Sequence, residues 1–418
     1  MKTDKLHALE LSLTIGCRLD CLYCPQKILL NKYYGENKNR KSKLSFEDFK
    51  TVLNKVQPGA SISFCGMSEP FHNEECADML VYAYERGYKI SLLTTLVGMT
   101  IEDFNKIKNI KFDSFVLHIP DEEKHSKFII NDEYLSLLSL VNKYIDIDYY
   151  SCHGSVSSFV QGIIDSKRYA GIALGDRAGN LDINQHRDVN IEGKIVCYHG
   201  SEAQIGGWTP VMFPDGSLVL CCQDYGMKHV LGNLITQSWS EICEGEEYKK
   251  FVNGLKDDSI DILCRKCGDA KAVKDLPSMQ LRNTLLNEEA FTAELPEEAR
   301  ELVERFAKAD TVCVFGLGKL FHDHFFQEYW DEGLGVSIFS DNNPNMQGID
   351  IEGKICIAPE KLKEYPNLLV VVFVKDAERI ICQLNEMGIE NTIAIDELFD
   401  ICNGMCDKKF RKMVKKDI

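Results

Sequence analysis

Three cysteines, Cys17, Cys21 and Cys24, sit three and two residues apart directly after the apolar run of residues 9–15. Three thiolates can hold three irons of an iron–sulfur cubane and leave the fourth iron without a protein ligand. A small bidentate molecule can then chelate that iron and be reduced there. The same residues also suit three buried free thiols or part of a zinc site, although structural zinc ordinarily takes four ligands. The chain holds 17 cysteines in all. It opens with Met1-Lys2-Thr3-Asp4-Lys5 and shows no secretory pattern, which points to thiolate metal chemistry in a cytoplasmic protein rather than to a disulfide framework.

Short β-rich runs at 8–14, 60–65, 88–95, 114–119, 145–150 and 170–174 predict strands, with helices beginning near Ser45, Asn73, Thr100, Asp132 and Ser155 between them. Six strands alternating with helices imply an α/β fold with a parallel sheet, and six units are too few to close the eight-stranded barrel. A partial (β/α)6 barrel is therefore expected, and 418 residues leave room for one or two further domains. No apolar run approaches the roughly 18 residues of a membrane span. A net charge of −16 disfavours a large nucleic-acid footprint. The basic tail at 408–416 reads as a solvated helix face.

Parallel sheets carry their chemistry at the carboxyl ends of strands. The second strand ends in Cys65-Gly66-Met67-Ser68-Glu69-Pro70, which suits a ligand-binding turn. The third ends in Thr94-Thr95-Leu96-Val97-Gly98, whose two hydroxyls suit a ribose or carboxylate oxygen. His118, ending the fourth strand, reads either as a core residue or as one facing the site. Cys65 and Cys152, near strand ends, read as small buried hydrophobes or as the catalytic source of a hydrogen atom.

The spacing of Cys17, Cys21 and Cys24, their place after a first strand, and Tyr23 directly before the third cysteine resemble the radical S-adenosylmethionine (SAM) superfamily. The turn Gly66-Met67-Ser68-Glu69-Pro70 is similar to that family's Gly-Gly-Glu-Pro motif, with Met67 and Ser68 as departures. Residues 94–98 stand where the family shows Thr-Asn-Gly, with Thr95 and Leu96 departing. The resemblance implies a [4Fe-4S] cluster on the three cysteines. It also implies SAM held by Tyr23, Gly66, Glu69, Thr94 and Thr95, with Glu69 gripping the ammonium group.

A second cysteine-rich stretch begins at Cys197. Asp215-Gly216 between apolar runs reads as a hairpin turn delivering Cys221 and Cys222, and Cys264 and Cys267 follow. Neighbouring strand residues face opposite ways, so one of Cys221 and Cys222 ligates while the other packs. Four thiolates close an iron–sulfur cluster or, equally by spacing, a zinc ribbon. With Gly216 five residues before Cys221, the block resembles the SPASM and twitch extensions of the same superfamily. The absence of further cysteines until Cys313 implies a single auxiliary cluster.

From residue 311 the pattern is strand, glycine turn and helix, with Gly316 and Gly318 placed for a phosphate and Asp341 placed for a ribose. Phe321 stands where a third fingerprint glycine belongs. The segment looks like the Rossmann-like domains attached to sugar-modifying enzymes, and reads as a nucleotide-binding unit or as a docking element. The expected divisions are a barrel at 1–185, a SPASM/twitch-like domain at 186–284, a linker at 285–302 and the Rossmann-like domain at 303–418.

These readings predict a radical SAM enzyme of oxidoreductase or epimerase type. A 5′-deoxyadenosyl radical would take hydrogen from a small substrate, a nucleotide-linked carbohydrate, with a flavodoxin or ferredoxin as reductant and neither membrane nor nucleic acid as partner. A peptide-modifying SPASM maturase is the alternative. A non-catalytic metal-binding docking protein is the third possibility.

Overall fold

The computed structural model describes residues 5–35, 37–165, 168–171, 175–181, 190–197, 209–286, 297–326 and 328–403. The end of the expected sixth strand, much of the expected linker and the basic tail lie outside them. The chain divides into two compact units, 1–270 and 271–418. No helix among the described residues is long and apolar enough to cross a membrane.

In the first unit, strands β1 (Leu6–Leu11), β2 (Val56–Phe64), β3 (Lys89–Thr94), β4 (Ser114–His118), β5 (Tyr149–Cys152) and β6 (Tyr169–Gly171) lie side by side in sequence order. All five neighbouring pairs are parallel. Parallel neighbours need crossovers, and helices supply the first four. They are α1 (Gln26–Gly35) and α2 (Phe46–Leu53), then α3 (Cys76–Glu85), α4 (Ile101–Ile107) and α5 (Asp132–Tyr144). Local chemistry sets their starts. The Ser45 hydroxyl accepts from the Asp48 N–H, Thr100 and Asp103 form a reciprocal capping box, and Asn131 accepts from the Tyr134 N–H.

Two expectations need correction. The helix expected from Ser155 is a run of turns, because Ser155-Val156-Ser157-Ser158 offers hydroxyls and a β-branched side chain that favour caps and turns over a helix interior. The helix α1, not anticipated, begins two residues after Cys24.

Among the described residues the sheet does not close. Beyond β1 it continues through β8 (Val211–Met212), parallel to β1, and then antiparallel through β9 (Ser217–Val219) and β10 (Val230–Asn233), with the short strand β7 (Ile195–Cys197) outside it. This open α/β sheet is consistent with a partial barrel. The cysteine-rich segment, read from the sequence as a domain of its own from 186, thus adds three strands to the main sheet. Its Leu218, Leu231, Trp239, Ile242 and Phe251 share one buried cluster with Leu9, Leu11 and Phe64.

The second unit has its own parallel sheet, in the order Asp350–Ile351, Lys354–Ile357, Ile338–Ser340, Thr311–Phe315, Leu368–Val372 and Thr392–Ala394, with only the first edge strand antiparallel. The strand first in sequence is central and the chain winds outward on both sides of it, so a topological switch point falls between Thr311–Phe315 and Leu368–Val372.

Arg265, between the last two cysteines of the first unit, is completely buried and donates to the carbonyls of Ile191, Gly193 and Gly254. Arg265→Met keeps much of the apolar stem but strands those carbonyls. The expected loss is about 3 kcal/mol of stability, read as a lower denaturant midpoint for the first unit, and an unchanged midpoint contradicts this role.

Candidate iron–sulfur and cofactor site

The loop carrying Cys17, Cys21 and Cys24 is tied down from outside. The Leu22 N–H donates to the His125 carbonyl at 2.9 Å and the Lys127 N–H to the Leu19 carbonyl at 2.7 Å. The Tyr23 phenol lies 2.6 Å from Ser126 Oγ and 2.7 Å from His118 Nε2, and its ring rests on His153 with centroids 3.7 Å apart. Burial, with His153 adding, pulls His118 down to about 4. Its imidazole is therefore neutral at physiological pH, with one ring nitrogen a donor and the other an acceptor. Tyr23, expected as a cofactor contact, holds the loop, and His118 belongs to the same support.

The three cysteines are half-buried and unpaired. Burial pushes the Cys17 thiol up to about 11, against backbone hydrogen bonds from Leu19 and Glu69. Burial also raises Cys21, against hydrogen bonds from Ser126 and Tyr23. Donors aimed at sulfurs are what bound thiolates need, so the set fits an iron–sulfur cluster.

The turn after β2 docks directly beneath this loop. Gly66 has φ +55°, and a Cβ there would lie 2.5 Å from Ser12 Cα, so only glycine fits. The Met67 N–H donates to Ser12 Oγ at 3.2 Å, and the Gln26 amide donates to the Met67 carbonyl. The Ser68 hydroxyl donates to the Thr14 carbonyl at 2.9 Å and accepts from Thr14 Oγ1 at 3.0 Å. The backbone of Met67 and the hydroxyl of Ser68 therefore fasten the turn.

Glu69 is 4% exposed. Its Oε1 accepts from Thr94 Oγ1 at 2.6 Å and the Phe71 N–H at 3.2 Å, and its Oε2 from the Thr95 N–H at 2.7 Å and Thr95 Oγ1 at 2.6 Å. Four donors meet the roughly four acceptor positions of a carboxylate. Burial raises its pKa and these donors oppose the rise. Thr94 and Thr95, expected to touch a ligand, spend both hydroxyls on orienting Glu69. Leu96 takes φ +64°, a conformation rare for a bulky residue, and its N–H donates to Thr94 Oγ1 at 2.9 Å.

Along β1, Glu10 projects from the face opposite the buried Leu9 and Leu11. It is hydrogen-bonded to Cys65 and lies near Arg177, and burial raises it to about 7 against both partners. Burial first, and then the Glu10 charge, push the Cys65 thiol well up. Cys152 is completely buried and donates to the Gly154 carbonyl at 2.9 Å, so it packs. Glu10 was visible beforehand as the one charge inside the run Leu9-Glu10-Leu11, whereas Arg177 carries no local signal.

The second thiol set assembles around Cys221. Burial drives its thiol far up, and the nearby Cys222, Cys264 and Cys197 add to the effect. Cys264 is raised likewise, with Cys197 and Cys267 as neighbours, and Cys267 reaches about 12 through burial first. Cys222 lies near Glu10 and Arg177 as well as Cys197, and packs with Cys24, Met67 and Tyr225. Cys221 and Cys222 lie just beyond β9 rather than within it, so strand alternation does not govern where their thiols point. Cys197, Cys221, Cys264 and Cys267, the first two half-buried and the last two buried, disfavour one another's ionisation, and such a set fits an iron–sulfur cluster, whose cationic core removes that penalty.

Residues 209–268 match the SPASM iron–sulfur cluster-binding domain. The expected auxiliary cluster thus falls on the SPASM segment. No curated protein matches the chain by sequence. Among solved structures the chain is similar to BtrN in complex with AdoMet and 2-DOIA, at 16% identity and TM-score 0.41, over 63% of this chain and 93% of that one. It is similar to Streptococcus suis SuiB bound to precursor peptide SuiA at 14% and 0.41, over 63% and 70%. It is similar to anSMEcpe with bound AdoMet and Cp18Cys peptide at 16% and 0.41, over 62% and 86%. All three likenesses are loose.

In the second unit, Asp341 accepts from the Leu317 N–H at 2.6 Å and from the Asn343 N–H at 2.7 Å. It therefore braces the glycine turn. A Cβ on Gly316 would meet Val374 Cγ1 at 2.4 Å, while nothing lies within 4 Å of one on Gly318.

After anaerobic reconstitution, Cys221→Ala is expected to lose the SPASM segment's iron, about four atoms per chain, and Cys222→Ala to retain it. The opposite pattern in iron content contradicts the assignment of Cys221 as ligand.

Proposed function

We propose that the protein is a radical SAM enzyme with one auxiliary cluster, oxidising or epimerising a carbon centre of a small carbohydrate substrate. The observation that carries this is the docking of the Gly66-Met67-Ser68-Glu69 turn beneath the three-cysteine loop, with Glu69's own N–H bonded to Cys17 and its carboxylate fixed alongside. When bound, the cluster and SAM supply a 5′-deoxyadenosyl radical able to take a hydrogen atom from carbon.

Cys17, Cys21 and Cys24 hold the cluster, and Tyr23 with Ser126 and His118 keeps their loop in place. Gly66 lets the turn approach β1, and Glu69, oriented by Thr94 and Thr95, presents its charge to the SAM ammonium group. In an epimerising reaction Cys65 gives its S–H hydrogen atom to the substrate radical. The resulting thiyl returns to thiol with one electron from a flavodoxin- or ferredoxin-type reductant and one proton through Glu10. A Cys65 thiol held protonated, bonded to a carboxylate that titrates near 7, supports this role. The second unit's switch point and the open Gly318 support a nucleotide-linked carbohydrate as substrate.

Reconstituted protein with SAM and dithionite is expected to release 5′-deoxyadenosine. The triple Ala variant of Cys17, Cys21 and Cys24 is expected to keep about half the iron and to release none. Undiminished release by that variant, or zinc in place of iron in the wild type, contradicts the proposal.

A further inference from the structure

The Tyr225 hydroxyl lies 3.4 Å from Cys24 Sγ, across 201 residues of sequence. Tyr225 is 5% exposed and packs with Ile15, Leu29, Met67 and Cys222 beside Cys24, so its ring cannot swing away without opening that cluster. A sulfur bound to iron carries no proton, so in the loaded protein the phenol is the donor and the thiolate the acceptor. The Gln26 amide donates to the same sulfur at 3.5 Å.

A positive charge stands behind this contact. The Arg177 guanidinium lies near Tyr225, Cys222 and Cys24. Its turn is anchored to the segment carrying Tyr225, because Asn180 Nδ2 donates to the Arg177 carbonyl at 2.7 Å and to the Gln223 carbonyl at 3.1 Å. Gln223 Nε2 in turn donates to Asp269 Oδ2, two residues past Cys267, at 3.0 Å. Cys24 thus receives a hydrogen bond and a nearby cation from outside its own loop.

Hydrogen bonds to cluster sulfurs and the net charge around them tune reduction potential, because each stabilises the more negative, reduced state. We infer that Tyr225, backed by Arg177, is a positioning residue of the SPASM segment that raises the reduction potential of the cluster on Cys17, Cys21 and Cys24. This rests on the radical SAM reading above and goes beyond it, since it makes electron entry at the first cluster depend on the segment that holds the second.

The test is a redox titration of the reconstituted holoenzyme followed by electron paramagnetic resonance, reading the cluster whose signal disappears in the Cys17, Cys21 and Cys24 triple variant. Tyr225→Phe keeps the ring and removes the donor. At a fixed ambient potential its reduced-to-oxidised ratio is expected to fall about tenfold, which is 59 mV for a one-electron couple, with iron content unchanged. Arg177→Gln is expected to move the same midpoint in the same direction, and it decides the matter should Tyr225→Phe fail to assemble the cluster. A midpoint unmoved in an iron-replete Tyr225→Phe, or in Arg177→Gln where only that variant loads, overturns the inference. A wild-type signal that persists in the triple variant overturns instead the reading on which it rests.

Discussion

A side chain on residue 66 would begin 2.5 Å from the Ser12 backbone, and the geometry of the site depends on there being none. Two parallel strands, β1 and β2, end side by side, and the chain must leave each without colliding with the other. Gly66 with its positive φ allows the second exit to lie against the first. Ser12 and Thr14, the last residues before the cysteine loop, then serve as the hydrogen-bonding floor for Met67 and Ser68. That close approach brings the turn carrying Glu69 up to Cys17, which its backbone N–H reaches.

Charge is the second organising constraint. The first unit encloses Glu69 and Glu10, among other carboxylates, together with two groups of thiols, and burial raises the pKa values of both glutamates and of Cys17, Cys21 and Cys221. The polypeptide answers the Glu69 cost with four donors and the Glu10 cost with a thiol and a guanidinium. Burial and the neighbouring thiols raise Cys221 and Cys264 together, and such a set is relieved by a cation. The match of 209–268 to an iron–sulfur cluster-binding domain agrees with that chemistry.

Much of this was legible in the residues. The cysteine spacings, the helix starts near Ser45 and Thr100 and the Asp215-Gly216 hairpin are local signals, and the structure begins helices and turns the hairpin at those places. What the sequence could not show is long-range pairing. That strands around residues 211 and 218 extend the sheet of β1 depends on contacts some 200 residues apart, and alternation alone cannot name a partner strand. Nor could it show where a hydroxyl points: Thr94 and Thr95 read as ligand contacts because their residue type and strand position allow it, yet a buried carboxylate close by claims both. Tyr225 was invisible for the same reason, since nothing near Cys221 and Cys222 marks a phenol aimed at Cys24. Glu10 was the exception, a charge inside an apolar strand.

The cluster proposed on Cys17, Cys21 and Cys24 would leave an iron open to SAM beside Glu69. The most direct measurement is the electron paramagnetic resonance spectrum of the dithionite-reduced, reconstituted protein with and without SAM. A cubane signal is expected that changes in g values when SAM is added and that is missing in Cys17→Ala. A signal indifferent to saturating SAM, or one that survives intact in Cys17→Ala, would contradict it.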